Sequence, residues 1–209
     1  MSRERIEDLS AKYREAFSAA ERALKRFERI DGNTLMPAIN QLRYAASHYV
    51  DYENAIDDET KCTCLEKAIA HCQRGEYDAV EGAVIILGKF ILGFNRKYSV
   101  ASIVAIIPEY PAYFAKAKKS LSVLREIGAV RDFEVSESDL AAVKTSLENL
   151  VAFWDDVSSR EPLVEQVEIE RRTSAKRETR RFVLGTIIAI IAGIATIVGV
   201  AITLIKGVI

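Results

Sequence analysis

The sequence predicts an all-α fold, a cytoplasmic helical bundle followed by a single C-terminal transmembrane helix, on three observations. Apolar residues recur at three- and four-residue steps through most of the 209 residues, and no strand-like alternation interrupts them. A basic block, RRTSAKRETRR at 171–181, runs into FVLGTIIAIIAGIATIVGVAITLI at 182–205, 24 residues without a charge. Charge is also segregated: residues 1–170 carry a balance of -7 and residues 171–181 one of +5, beneath a total of -1. The chain therefore divides into a sensor domain (1–161), a basic connecting helix (162–181), a transmembrane helix (182–205) and a short far-side tail (206–209).

The elements follow in order. Ile6, Leu9, Tyr13, Phe17, Ala20, Leu24 and Phe27 form one apolar stripe, closed by Asp31-Gly32-Asn33. Thr34 is placed to cap a second helix carrying Leu35, Ile39, Leu42, Ala46 and Tyr49, with Pro37 tolerated in its first turn. A third helix starts near Asp58 and continues through the apolar run GAVIILGKFILGF, which is too short to span a bilayer and contains Lys89. Pro108 and Pro111 force a break. The next helix uses Tyr113 to Ile127 and stops at Gly128, and Ser136 with Asp139 opens another. Pro162 is expected to begin the last helix, which runs through the collar into the membrane.

At about 1.5 Å per residue the 182–205 stretch is roughly 36 Å long, enough for a hydrocarbon core of about 30 Å. Arg171, Arg172, Lys176, Arg177, Arg180 and Arg181 precede it and only Lys206 follows, so the positive-inside rule places the N-terminal domain in the cytoplasm of an inner-membrane, tail-anchored protein. The N-terminus has no secretory h-region, and an odd set of three clustered cysteines (Cys62, Cys64, Cys72) suits a reducing compartment. Within the span, Gly185, Ala189, Ala192, Thr196, Gly199 and Thr203 are spaced 4, 3, 4, 3 and 4 and fall on one face. An anchor in lipid gains nothing from such sorting, whereas small residues let backbones approach, so the tail is expected to self-associate. The seam is either closed packing in a dimer or the lining of a hydrophobic pore in a larger ring.

The densest polar constellation contains Arg43, His48, His71, Arg74, Tyr77 and Asp78, including both histidines of the chain. His71, Arg74 and Asp78 share a helix face, and Arg and Tyr donors there suit an anion such as phosphate; salt-bridging inside the bundle is the alternative. Arg43 and His48 have the R-x4-H spacing of the HEPN ribonucleases, with Tyr44 where that family has a polar residue, which implies a ribonuclease toxin as an alternative. Cys62-x-Cys64 and His71-Cys72 have zinc-ligand types but no closed-site spacing, so no metal is expected. Arg96 and Lys97, and Lys116, Lys118 and Lys119, can contact phosphates, with Tyr98 or Tyr113 to stack on bases. Nothing resembles a P-loop, a dinucleotide turn or a nucleophile elbow, so neither cofactor nor enzymatic activity is expected.

A cytoplasmic helical domain, a basic collar and one C-terminal span with a small-residue seam resemble, as architecture, the membrane effectors of bacterial anti-phage defence systems, most of all the Hailong-type channel subunits. The resemblance implies a homotetrameric ion channel in antiviral defence. It also implies a single-stranded oligonucleotide ligand, made by a partner nucleotidyltransferase, whose loss opens the pore. A tail-anchored adaptor without channel activity is the plainer alternative.

Overall fold

The computed structural model describes the backbone of residues 2–130 and 136–206, and the side chains of 3–127, 136–191 and 193. Six helices account for it: α1 (Ser2–Asp31), α2 (Met36–Asn54), α3 (Asp58–Lys97), α4 (Val100–Ile106), α5 (Tyr110–Val130) and α6 (Glu137–Lys206). The fold is all-α.

Local chemistry sets the boundaries. α1 ends where Gly32 takes φ 74°, the left-handed conformation that glycine adopts without a Cβ clash, and its N–H closes on the Glu28 carbonyl at 2.8 Å. Thr34 does not cap α2. Leu35 holds that position with no side-chain cap, and the Thr34 hydroxyl turns back to Glu28 instead. A threonine one residue too early cannot reach the free N–H groups of the first turn. α3 is capped by Asp57, which accepts from the Thr60 N–H and hydroxyl, both at 2.7 Å. Asp58 and Glu59 in its first turn and Arg96 and Lys97 in its last complement the helix dipole.

α3 runs 40 residues and is the axis of the molecule. Its first part packs against α1 and α2 through Leu9, Tyr13, Ala45, Leu65, Ala68 and Cys72. Its second part packs against α5 and α6 through Val84, Leu87, Ile91 and Phe94, and α4 is laid over α5 and α6. Phe27 and Tyr77 tie the two halves together. An unpredicted break at Tyr98–Ser99 separates α3 from α4, with Ser99 capping the new helix. The expected break before Pro108 and Pro111 is present, but α5 continues past Gly128 to Val130.

Pro162 does not begin a helix; it lies inside α6, which is one helix of 70 residues, roughly 105 Å at about 1.5 Å per residue. The boundary expected at 161/162 is therefore not an element boundary. Ser136 does open this helix, accepting from the Asp139 N–H at 3.1 Å. A heptad seam holds α6 to the bundle: Val143, Leu147, Leu150, Val157 and Val164 are buried, with Trp154 partly so. Each buried aliphatic here contributes about 1.5–3 kcal/mol, which together outweigh the ~3 kcal/mol that an interior proline costs. Among the described residues no helix is long and apolar enough to cross a membrane. Of the expected span, the side chains of Ala192 and of 194–205 lie outside the described residues.

Close approach explains one glycine. A Cβ on Gly82 would stand 2.9 Å from the Phe27 ring and 3.2 Å from Leu35, and Phe27 is buried. Gly82→Ala gains about 1 kcal/mol of helix propensity but overpacks the contact by ~1–3 kcal/mol. The variant is expected to melt below the wild type, read by circular dichroism; a higher Tm would show that the contact yields.

Candidate functional site

The two histidines meet where α2 crosses α3, because Ala38, Ala45, Ala68 and Gly75 are small enough to let the helices approach. The His48 and His71 rings stack with centroids 5.3 Å apart at 17°, and Tyr44 leans on His71 at 5.4 Å. His71 Nδ1 lies 2.8 Å from Gln41 Oε1, so a neutral ring protonated at Nδ1 donates to that carbonyl. Desolvation, and then the nearby charge of His48, push the His71 pKa below its ordinary value. His48 Nδ1 is 3.6 Å from Asp51.

The remaining ligand candidates do not converge on this corner. Arg74 pairs with Asp78 at 3.0 Å, and the Arg43 guanidinium donates to Asn40 at 3.3 Å. Tyr77 is fully buried in the main core. Arg96 and Lys97 lie at the far end of α3, about 39 Å from His71 at ~1.5 Å per residue. The R-x4-H spacing thus gives one residue directed to Asn40 and one stacked on His71. Among the described residues no group of three or more His, Cys, Asp or Glu could hold a metal ion. Cys62 and Cys72 are buried, and burial pushes the Cys72 thiol up to about 12, away from the thiolate a metal requires.

The basic candidates are largely engaged within the chain. Lys116 sits 5.1 Å over Phe153, Lys118 sits 4.9 Å over Phe114, and Lys97 bonds to Glu161 at 2.7 Å. Tyr113 stacks on Phe153 at 4.3 Å and donates to Asp156, while Tyr98 is buried and donates to Glu161. Neither ring is available as a base-stacking platform. Arg96 is exposed.

Two features escaped sequence reasoning. The first is an open groove of about 460 Å³ between α1 and α6, with α3 as its floor. Glu76 is buried there and paired with Lys144 at 2.6 Å, and Arg26 crosses from α1 to grip Glu148 on α6 with both carboxylate oxygens. The second is a polar clasp at the α3–α4 turn. Glu161 accepts from Lys97 and from the Tyr98 hydroxyl at 3.0 Å. Glu168 accepts from the Ser99 hydroxyl at 2.6 Å, the Ser99 N–H at 3.1 Å and Arg172 Nε at 2.8 Å. Hydrogen bonds from Ser99, Ser102 and Arg172 hold the Glu168 carboxyl at about 2. The signal for this clasp was available: Glu161 and Glu168 continue the seam position that is apolar at Leu147 and Trp154.

Beyond Glu168 every described side chain of the collar is exposed. Arg171, Lys176, Arg177, Arg180 and Arg181 face solvent, while Arg172 is tied to Glu168. The large apolar side chains that follow, Phe182, Leu184, Ile187, Ile188 and Ile191 among them, are exposed on every side of the helix. Nothing lies within 4 Å of a Cβ built on Gly185. Ala189 is exposed, whereas the seam side chains Ala192, Thr196, Gly199 and Thr203 lie outside the described residues.

The chain matches no protein-family model, and no curated protein or solved structure shows significant similarity to it.

Two pH effects follow. Because the His71 pKa is lowered on folding, stability is lost as pH falls below the ordinary 6.5 and is regained above it; His71→Asn should flatten that part of the Tm–pH curve. Glu168 is also depressed, so its contribution is present above the ordinary 4.5 and is lost as pH falls towards about 2. Glu168→Gln should lower Tm at neutral pH and leave it closer to the wild type in acid. Parallel curves in either comparison would remove that residue from the titration.

Proposed function

We propose that the chain is a non-enzymatic membrane effector. It is an oligomer held in the inner membrane by the apolar end of α6, gated through its helical bundle, and acts as an ion channel or membrane-depolarising protein. One observation carries this reading: α6 leaves the bundle core and continues as a single helix to Lys206, exposing large apolar residues around its whole circumference from Phe182 to Ile191. A patch of that extent is covered in practice by lipid or by protein. The uncharged run to Ile205 then supplies the length of a span.

The collar fits the same arrangement with one refinement. Arg171 stands about 16 Å above Phe182 at ~1.5 Å per residue, beyond a Debye length of about 8 Å. Lys176, at about 9 Å, stands at that limit, and Arg177, Arg180 and Arg181 lie within reach of anionic headgroups. Arg172 serves Glu168 instead.

Assembly through Gly185, Ala189, Ala192, Thr196, Gly199 and Thr203 places small residues at the helix contact, with tetramers the form implied by the architectural resemblance. The control point belongs in the bundle. An occupant of the groove between α1 and α6 touches the output helix directly, beside Lys144 and Glu148. A nucleotide oligomer, the ligand class implied by the same resemblance, has a phosphate for Arg22 beside it. A role in anti-phage defence follows from that resemblance alone.

Ala192→Leu combined with Gly199→Leu is expected to abolish potassium leakage from cells or vesicles while membrane insertion persists. The mass of the detergent-solubilised complex should fall from that of a ring to that of a monomer. A wild-type mass together with undiminished leakage rejects the seam. A complex no larger than a dimer that carries no current favours an adaptor.

A further inference from the structure

The lower part of α6 is attached to the bundle in a way that differs from its upper part. Above Pro162 the seam is apolar, with Val143, Leu150 and Val157 fully buried. Below Pro162, among the described residues, only Val164 and Glu168 are buried. Attachment there is therefore one valine plus the Glu168 carboxylate on Ser99, while Glu161, immediately before the proline, holds Lys97 and Tyr98.

Pro162 marks the border between the two regimes. It has no N–H to give the Ser158 carbonyl, so α6 lacks one rung of its ladder on the bundle side of Glu168. The segment above the gap is pinned separately. Arg160 donates to the Ile106 carbonyl at 3.3 Å and pairs with Asp156 at 2.9 Å, and Tyr113 holds Asp156 at 3.1 Å. Proline is among the few causes of sharp helix bending, and hinges fall where few contacts resist the motion.

We propose that Pro162 is a hinge in α6 and that Glu161 and Glu168, seated on the Lys97–Ser99 turn, are its latch. The latched form aligns the collar and tail with the bundle. Releasing the carboxylates lets the helix below Pro162 swing while Val143 to Val157 stays packed, exposing a single buried valine. Glu161 is already partly exposed and Glu168 gains water on leaving Ser99, so solvation offsets the lost partners and a signal can exchange the two arrangements. The device rests on the reading of α6 as the output element, since it explains how an event in the bundle reorients the collar without unfolding the core.

The test uses the full chain in detergent or nanodiscs, with Cys64→Ser to remove the accessible native thiol and spin labels at Ser47→Cys and Ser174→Cys, both exposed. With labelled chain diluted in unlabelled chain so that only pairs within one subunit are read, the wild type should give one narrow inter-label distance. Glu161→Gln with Glu168→Gln should split or broaden it, and Ser99→Ala alone should move it the same way by less. Adding Pro162→Ala to the double variant should narrow the distribution again, because the restored rung stiffens the helix. Distances in the latch variants identical to wild type overturn the latch, and broadening that Pro162→Ala leaves untouched overturns the hinge. These distances do not depend on current or complex mass, so failure of the channel reading shows in those measurements and failure of the device shows here.

Discussion

α3 has to remain a single helix for the rest of the molecule to have a frame. It carries two sets of neighbours end to end, α1 and α2 on its first part and α5 and α6 on its second. No other helix touches both groups to the same extent. A long helix containing Gly75, Gly82 and Gly88 sacrifices propensity at each, and α3 recovers it through close contacts with α2, α1 and α5 at those points. α1 reaches α6 directly through the Arg26–Glu148 pair, so most of the packing that joins the α1–α2 end to α6 runs through α3.

Polar contacts in this chain fall into two kinds with different consequences. Pairs such as Arg3–Glu7 and Lys12–Asp8 lie on one helix face, mostly exposed, and contribute little beyond solubility. Many of those joining helices lie along α6, at Glu76–Lys144, Arg26–Glu148, Lys97–Glu161 and Ser99–Glu168, while Arg5–Glu66 and Gln41–His71 tie α3 to α1 and α2. Directional contacts fix the rotation of α6 about its own axis, which apolar packing alone leaves less defined. Rotation matters because the seam positions of the bundle, Val143 and Val164 included, continue at seven-residue intervals to Gly185, Ala192 and Gly199. Each heptad drifts by about 20° on a straight helix, so Gly185 stands about 60° round from Val164 and Gly199 about 100°.

Periodicity made the helical class legible, along with the ends of α1, the start of α3 and the opening of α6 at Ser136, because those depend on residues close in sequence. What was not legible depended on residues far apart. Pro162 looked like a beginning because proline suits a first turn, and only the burial of Val157 and Val164 on either side keeps it internal. The break at Ser99 is stabilised by Glu168, 69 residues away. The histidines did come together, yet Tyr77, on the same stretch of α3, points into the core and Arg74 is drawn to Asp78. Spacing on one helix says which side chains share a face, not which neighbour has already claimed them.

The bare stretch of α6 between the clasp and the apolar run has a geometric consequence. Residues 169–181 are exposed throughout and raise the bundle about 20 Å above Phe182 at ~1.5 Å per residue. In the proposed membrane arrangement, with Phe182 at the edge of the hydrocarbon, headgroups would fill about 6 Å of that height. The clearance left is about 14 Å, enough for a single helix of about 10–12 Å and far less than a small domain of about 30 Å. On the proposed membrane reading, the underside of the bundle would then be open to ions, to lone helices and to extended chains, and closed to folded proteins.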